Sequence, residues 1–127
     1  MIVADISVLI PWAEGNPTNK TRLLRLHMLR GTLRVAPVSL TELLSAPKLG
    51  SEIQLVAETL DLLDLRDGYW ARAGLLRGRC LAAGRRARLA DTLIAQACLD
   101  ADLPLLTNDS DFEVFVQIGG LKLVASD

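Results

Sequence analysis

Histidine occurs once in this chain and cysteine twice, at Cys80 and Cys98 with no Cys-x-x-Cys spacing, so the usual donors of a zinc site are missing. Free buried thiols are the simplest reading of the two cysteines. No apolar run approaches the roughly 20 residues that cross a bilayer. No basic residue precedes Lys20, unlike the front of a secretory signal. These absences predict a cytoplasmic protein with no membrane partner. Nor does one sign of charge dominate: 14 Lys and Arg against 15 Asp and Glu leave a net charge of −1, which advertises no polyanion binder as a whole. Internal repeats and low-complexity linkers are also lacking.

Half of the 127 residues are hydrophobic, which favours a compact fold over disorder. The length suits one domain, residues 1–127, with a single core. Charge is unevenly spread. Lys20 to Arg34 holds five basic residues and no acid, Arg72 to Arg88 holds six arginines and no acid, and the last third is acidic. Such stretches read either as solvated helix faces or as local surfaces for a polyanion.

Periodicity predicts alternating strands and helices. Ile2-Val3-Ala4 reads as a buried strand, followed by a helix through Val8-Leu9-Ile10 that Asp5 or Ser7 could cap. Thr18 is a cap for a helix with the stripe Leu23, Leu24, Leu26, Met28 and Leu29, ending near Gly31. A second strand is expected over Leu33 to Val38. Ser39-Leu-Thr-Glu42 has the form of a capping box, opening a short helix stopped by Pro47. Helices follow over Glu52 to Leu63, Gly68 to Ala83 and Leu89 to Asp102. Short strands are expected at Leu62 to Leu65, Leu105-Leu106 and Leu121 to Val124. The alternation predicts an α/β fold with a mostly parallel sheet covered by helices.

Four acids stand out against this frame. Asp5, Glu42 and Asp109 each follow a strand-like run, and Asp91 opens the helix that feeds the last of those strands. Singly, each has a local explanation: Asp5 as a helix cap, Glu42 as Ser39's partner, Asp91 as a complement to a helix dipole, and Asp109 with Asp111 as an Asx-turn before Phe112. Jointly, they lie at the edge of an α/β sheet where ligands bind. Crowded carboxylates raise each other's pKa unless a cation neutralises them. Oxygen-only donors suit Mg²⁺ or Mn²⁺.

Four segments carry a family likeness: Met1-Ile-Val-Ala-Asp5-Ile-Ser7-Val-Leu-Ile10, Val38-Ser-Leu-Thr-Glu42-Leu-Leu44, Asp91-Thr-Leu-Ile-Ala95, and Leu105-Leu-Thr-Asn-Asp109-Ser-Asp111-Phe112. Through them the chain resembles the PIN-domain ribonucleases, and within these the VapC-like toxins of type II toxin–antitoxin pairs. The resemblance implies a three-layer α/β/α sandwich. It also implies that Asp5, Glu42, Asp91 and Asp109 form the catalytic quartet, with Asp111, Ser7 and Thr107 as accessory groups. Two departures stand out: Ile6 where Thr or Ser usually follows the first Asp, and Pro11 where a polar residue is more usual.

The implied chemistry is metal-assisted phosphodiester hydrolysis. Asp5, Asp91 and Asp109 would hold one or two Mg²⁺ or Mn²⁺ ions, and Glu42 would orient water or contact the second ion. Arg72, Arg77, Arg79, Arg85, Arg86 and Arg88 are candidates to steer the RNA backbone. The resemblance further implies a tRNA or ribosomal RNA substrate, a cognate antitoxin and a homodimer. Trp12, Tyr69 and Trp70 read chiefly as core, and His27, remote from the acids, reads as structural. A non-catalytic RNA- or protein-binding module of the same fold is the alternative, kept open by Ile6. Haloacid dehalogenase-type and receiver domains fit poorly: the first needs Asp-x-Asp where Asp5-Ile-Ser7 stands, the second a lysine late in the sheet.

Overall fold

The computed structural model describes residues 1–47 and 50–125, apart from the side chain of Glu52. A three-stranded parallel sheet runs through the middle, in the order β2-β1-β3, from β1 (Ile2–Ala4), β2 (Leu33–Arg34) and β3 (Leu105–Leu106). Val3 is opposite Arg34 on one side and Leu105 on the other. Between and after the strands come helices α1 (Ile6–Ala13), α2 (Asn19–Leu29), α3 (Pro37–Leu44), α4 (Glu52–Thr59), α5 (Tyr69–Ala82), α6 (Leu89–Ala101) and α7 (Glu113–Gly119). A single 3₁₀ turn, Ser110–Phe112, precedes α7.

The pleat sends alternate side chains to opposite faces, and so creates two cores. Val3 and Leu105 pack with Leu76, Cys80, Ile94, Cys98, Phe112 and Phe115, beneath α5, α6 and α7. Ile2, Ala4 and Leu106 pack with Val8, Leu9, Leu24, Leu43 and Ala57, beneath α1 to α4. The result is an α/β/α sandwich. Cys80 and Cys98 are buried free thiols on the first side. Burial pushes the Cys98 thiol up to about 12, so it is inert at neutral pH.

Several expected boundaries move. The S-x-x-E segment is no capping box: α3 starts at Pro37 with Ala36 as its cap residue, and the fully buried Ser39 hydroxyl has no partner. Proline holds a helical φ and pushes the preceding residue into extended backbone, so Pro37 starts the helix earlier and cuts the second strand to Leu33–Arg34. Past that strand only Val35 pairs, in one bridge to Leu62. The helix expected to reach Leu63 ends at Thr59, because Leu60 turns extended toward that bridge. The final strand is likewise one bridge, Leu123 to Leu105.

Thr18 caps α2 as expected, in a reciprocal box with Thr21. Of the α2 stripe only Leu24 is fully buried, while Leu26 and Leu29 lie exposed. Tyr69 is core, its hydroxyl donating to the Leu93 carbonyl at 2.6 Å. Trp70, by contrast, is 67% exposed, and Trp12 is half-buried. His27 bonds the Thr32 hydroxyl at 2.7 Å, a structural contact within the α2–β2 connection.

Candidate active site

Parallel strands end on one edge, and the chain leaves β1 and β3 there side by side. Asp5 occupies the cap position of α1, yet its carboxylate makes no cap bond. It accepts a 2.6 Å bond from the Ser7 hydroxyl instead. Ser7 lies 3.1 Å from the Thr107 hydroxyl and receives the Asn108 backbone N–H at 2.8 Å. Asn108 closes the knot by donating its amide to the Ser7 carbonyl at 2.9 Å. The β3 loop is thereby tied to α1, and a polar network stiffens around Asp5.

Asp109 follows in that loop. Its backbone N–H donates to Thr107 Oγ1 at 3.0 Å, and its carboxylate accepts the Asp111 N–H at 2.9 Å, the expected Asx-turn. Asp91 sits in the first turn of α6, which packs against both α3 and the 3₁₀ turn. One carboxylate oxygen from each of Asp91, Asp109 and Asp111 falls within 4.8 Å of the others. Asp111 therefore stands closer to the centre than an accessory role suggests. Asp5 is outside that triple, although Asp109 and Asp91 both act on its charge. Glu42 projects from the second turn of α3 and raises the pKa of Asp91.

Burial sets the electrostatics. Asp5 is 3% exposed, and its carboxyl is pushed up to about 6, chiefly by desolvation, with the Ser7 and Thr107 hydroxyls pulling down and Asp109 and Asp91 pushing up. Asp91 also rises to about 6, by desolvation first and then by Asp109, against the pull of Arg88. Burial raises Glu42 as well. These side chains are held where ionisation is unfavourable.

Such an arrangement fits a hard dication. Asp91 Oδ2 and Glu42 Oε1 are buried oxygens without a hydrogen-bond partner, and an unsatisfied buried acceptor costs about 1–3 kcal/mol or more when charged. A cation held by Asp91, Asp109 and Asp111 would relieve both the desolvation and the mutual repulsion. The three converging donors are all carboxylate oxygens, as Mg²⁺ or Mn²⁺ prefers.

The six arginines do not act as one group. Arg72 is bound by Asp100 through bonds of 3.0 and 2.7 Å. Asp100 is nine residues beyond Asp91 on α6, about 13 Å along the axis. Arg77 donates to the Ala87 carbonyl and Arg79 to that of Ile118. Only Arg85, Arg86 and Arg88 line a cleft that also contains Asp111. Two further contributors escaped sequence reasoning, Asn108 and Lys20. The Lys20 ammonium donates to the Thr107 carbonyl at 2.6 Å. Its place in a basic run was visible, but its target, 87 residues away, had no local signal.

Fold and site together define an α/β/α sandwich with a carboxylate crevice at the carboxyl edge of its sheet. The sequence model of the PIN domain matches residues 2–116, and the chain belongs to that family. The fold is shared with VapBC2 from Rickettsia felis bound to a promoter DNA fragment, at a TM-score of 0.78 and 22% identity over 100% of both chains. It is shared with DNA-bound VapBC from Salmonella typhimurium at 0.76 and 19%, over 98% of each chain. VapBC-5 of Mycobacterium tuberculosis, a member of a family of toxin–antitoxin systems, aligns at 0.65 and 21%, again over 98% of each. No curated protein matches the sequence.

Proposed function

We propose that this protein is a Mg²⁺- or Mn²⁺-dependent endoribonuclease of the VapC type, a single PIN domain that cuts a structured tRNA or ribosomal RNA. The observation that carries the reading is the convergence of Asp91, Asp109 and Asp111 beside buried Asp5, with Asp91 Oδ2 and Glu42 Oε1 left unpartnered. Asp91, Asp109 and Asp111 would hold the cation, with Asp5 adjoining them. A bound dication supplies Lewis-acid stabilisation of phosphate charge and activates water.

The remaining work falls to the chain itself. Glu42, whose pKa burial raises and whose charge acts on Asp91, would accept a proton from the attacking water. Ser7 and Thr107 fix the Asp5 carboxylate in one orientation. Arg85, Arg86 and Arg88, on the cleft beside Asp111, would receive the RNA backbone. The departure at Ile6 leaves Asp5 hydrogen-bonded, since Ser7 supplies the hydroxyl, and Ile6 itself packs against the α1–α4 core. That supports the catalytic reading over a binding-only module.

A cognate antitoxin and a homodimer belong to the same proposal, for a cytoplasmic protein; no described helix is long and apolar enough to cross a membrane. An open groove of about 280 Å³ between α3 and α4, lined by Leu40, Leu44 and Ala57, supports the antitoxin. The outward face of α5 supports the second copy. Trp70, Ala71, Gly74, Leu75, Gly78 and Leu81 are all exposed there, with no polar side chain among them.

The test combines binding and cleavage. Mn²⁺ should raise the melting temperature of the wild type, and Asp5→Asn/Asp91→Asn should lose that response together with cleavage of a structured RNA panel. Equal stabilisation of both proteins would refute the metal assignment. Metal binding without any cleavage would favour the binding module.

A further inference from the structure

We propose that Arg88 is a built-in counter-ion of the acidic crevice, which a dication displaces from Asp111 so that its guanidinium becomes available to a substrate phosphate. This rests on the nuclease reading above and adds a coupling between metal loading and substrate binding.

Arg88 is the cap residue of α6, three positions before Asp91. Its carbonyl accepts the Thr92 backbone N–H at 2.9 Å and the Thr92 hydroxyl at 2.7 Å, so its backbone is fixed. The side chain is not. It is 54% exposed, and its Nε reaches Asp111 Oδ2 at 3.7 Å, too long for a hydrogen bond. The contact is a loose ion pair to a member of the Asp91, Asp109 and Asp111 triple.

Arg88 and a dication therefore compete for the same negative charge. A cation on the triple takes over Asp111 and repels the guanidinium. The freed side chain stays within a cleft of about 160 Å³, beside Arg85, Arg86 and Ser110. Arg85 is already held at that cleft by Gln117, at 2.7 Å. Asp111 and Glu113 line the same space and oppose an anion until the crevice is neutralised. A phosphate next to the cleaved linkage thus binds better after the metal than before it, and by linkage the metal binds better with the phosphate in place.

The test is calorimetric titration of Mn²⁺ into the whole protein without nucleic acid, comparing wild type, Arg88→Gln and Arg86→Gln. Arg88→Gln should bind Mn²⁺ about two- to fivefold more tightly, the range set by an exposed ion pair. Arg86→Gln removes the same charge, but no ion pair to Arg86 occurs among the described residues, so its change should be smaller. In a second arm, anisotropy of a labelled single-stranded oligodeoxynucleotide is followed with Mn²⁺ or with EDTA. Arg88→Gln should weaken binding and lower the salt slope by about one in Mn²⁺, with little effect in EDTA. A merely structural residue would not tighten the metal while loosening the polyanion. Unchanged or weaker Mn²⁺ binding by Arg88→Gln, or an equal gain in Arg86→Gln, overturns the proposal alone. Failure of the wild type to bind Mn²⁺ overturns it together with the nuclease reading.

Discussion

Lys20 and Thr107, 87 positions apart, are joined by a 2.6 Å bond from ammonium to backbone carbonyl that fastens α2 to the loop after β3. That loop also carries Asp109, so the contact braces the crevice from α2 while Asn108 ties the same loop to α1. Lys20→Met keeps the aliphatic stem and removes the donor. It should cost about 1–2 kcal/mol of stability, read from denaturant midpoints, and should shrink the thermal response to Mn²⁺. A variant as stable as wild type would show that the loop stands without this brace.

The raised carboxyl of Asp5 makes stability depend on pH. Its folded value of about 6 lies above the ordinary 3.8, so the native state binds the proton more tightly and is favoured most below about pH 4. That contribution fades as pH climbs through 6. In EDTA the wild type should therefore lose about 2–3 kcal/mol relative to Asp5→Asn between pH 4 and 7. Asp5→Asn should be the more stable protein at pH 7 without metal, and the less stable once Mn²⁺ is added. Parallel pH profiles for the two proteins would contradict the buried-carboxylate account.

Ser39 separates two views of the third helix. As a cap, it would lose about 1 kcal/mol on truncation to Ala. Inside the helix, with its buried hydroxyl unpartnered, Ser39→Ala should be neutral or stabilising by up to about 1 kcal/mol. Thermal melts of the single variant decide between them.

The outward face of α5 carries the fourth expectation. Leu75 is 70% exposed there, and a Cβ built at Gly74 or Gly78 meets nothing within 4 Å. If a second copy covers this face, Leu75→Glu should shift light-scattering mass from dimer to monomer with the helix content unchanged. Gly78→Ala should stabilise the monomeric chain by about 0.5–1 kcal/mol, since alanine is the better helix former. A wild type that is monomeric at every concentration removes the need for the first experiment.

Sequence reasoning reached the parts of this protein that obey short-range rules. Asp5 and Asp109 were legible because each ends an apolar run, and Asp91 because it opens a strongly periodic helix. The Thr18 cap was equally local. Strands of two or three residues carry too little pattern to show their ends, which is why Leu33 to Val38 was overextended and Leu62 and Leu123 proved to be single bridges. Ser39 misled because S-x-x-E matches a box whether or not Pro37 has already begun the helix. Arg72 could not be told from Arg88 in sequence. Only packing shows that the first is occupied by Asp100 and the second faces Asp111.

Because β1 lies between β2 and β3, its neighbour on one side is made only when synthesis has passed residue 106. Until then a growing chain presents Asp5 with neither Thr107 nor Asp109 beside it. The crevice is therefore assembled late and in one step, when the segment after β3 closes over Asp5.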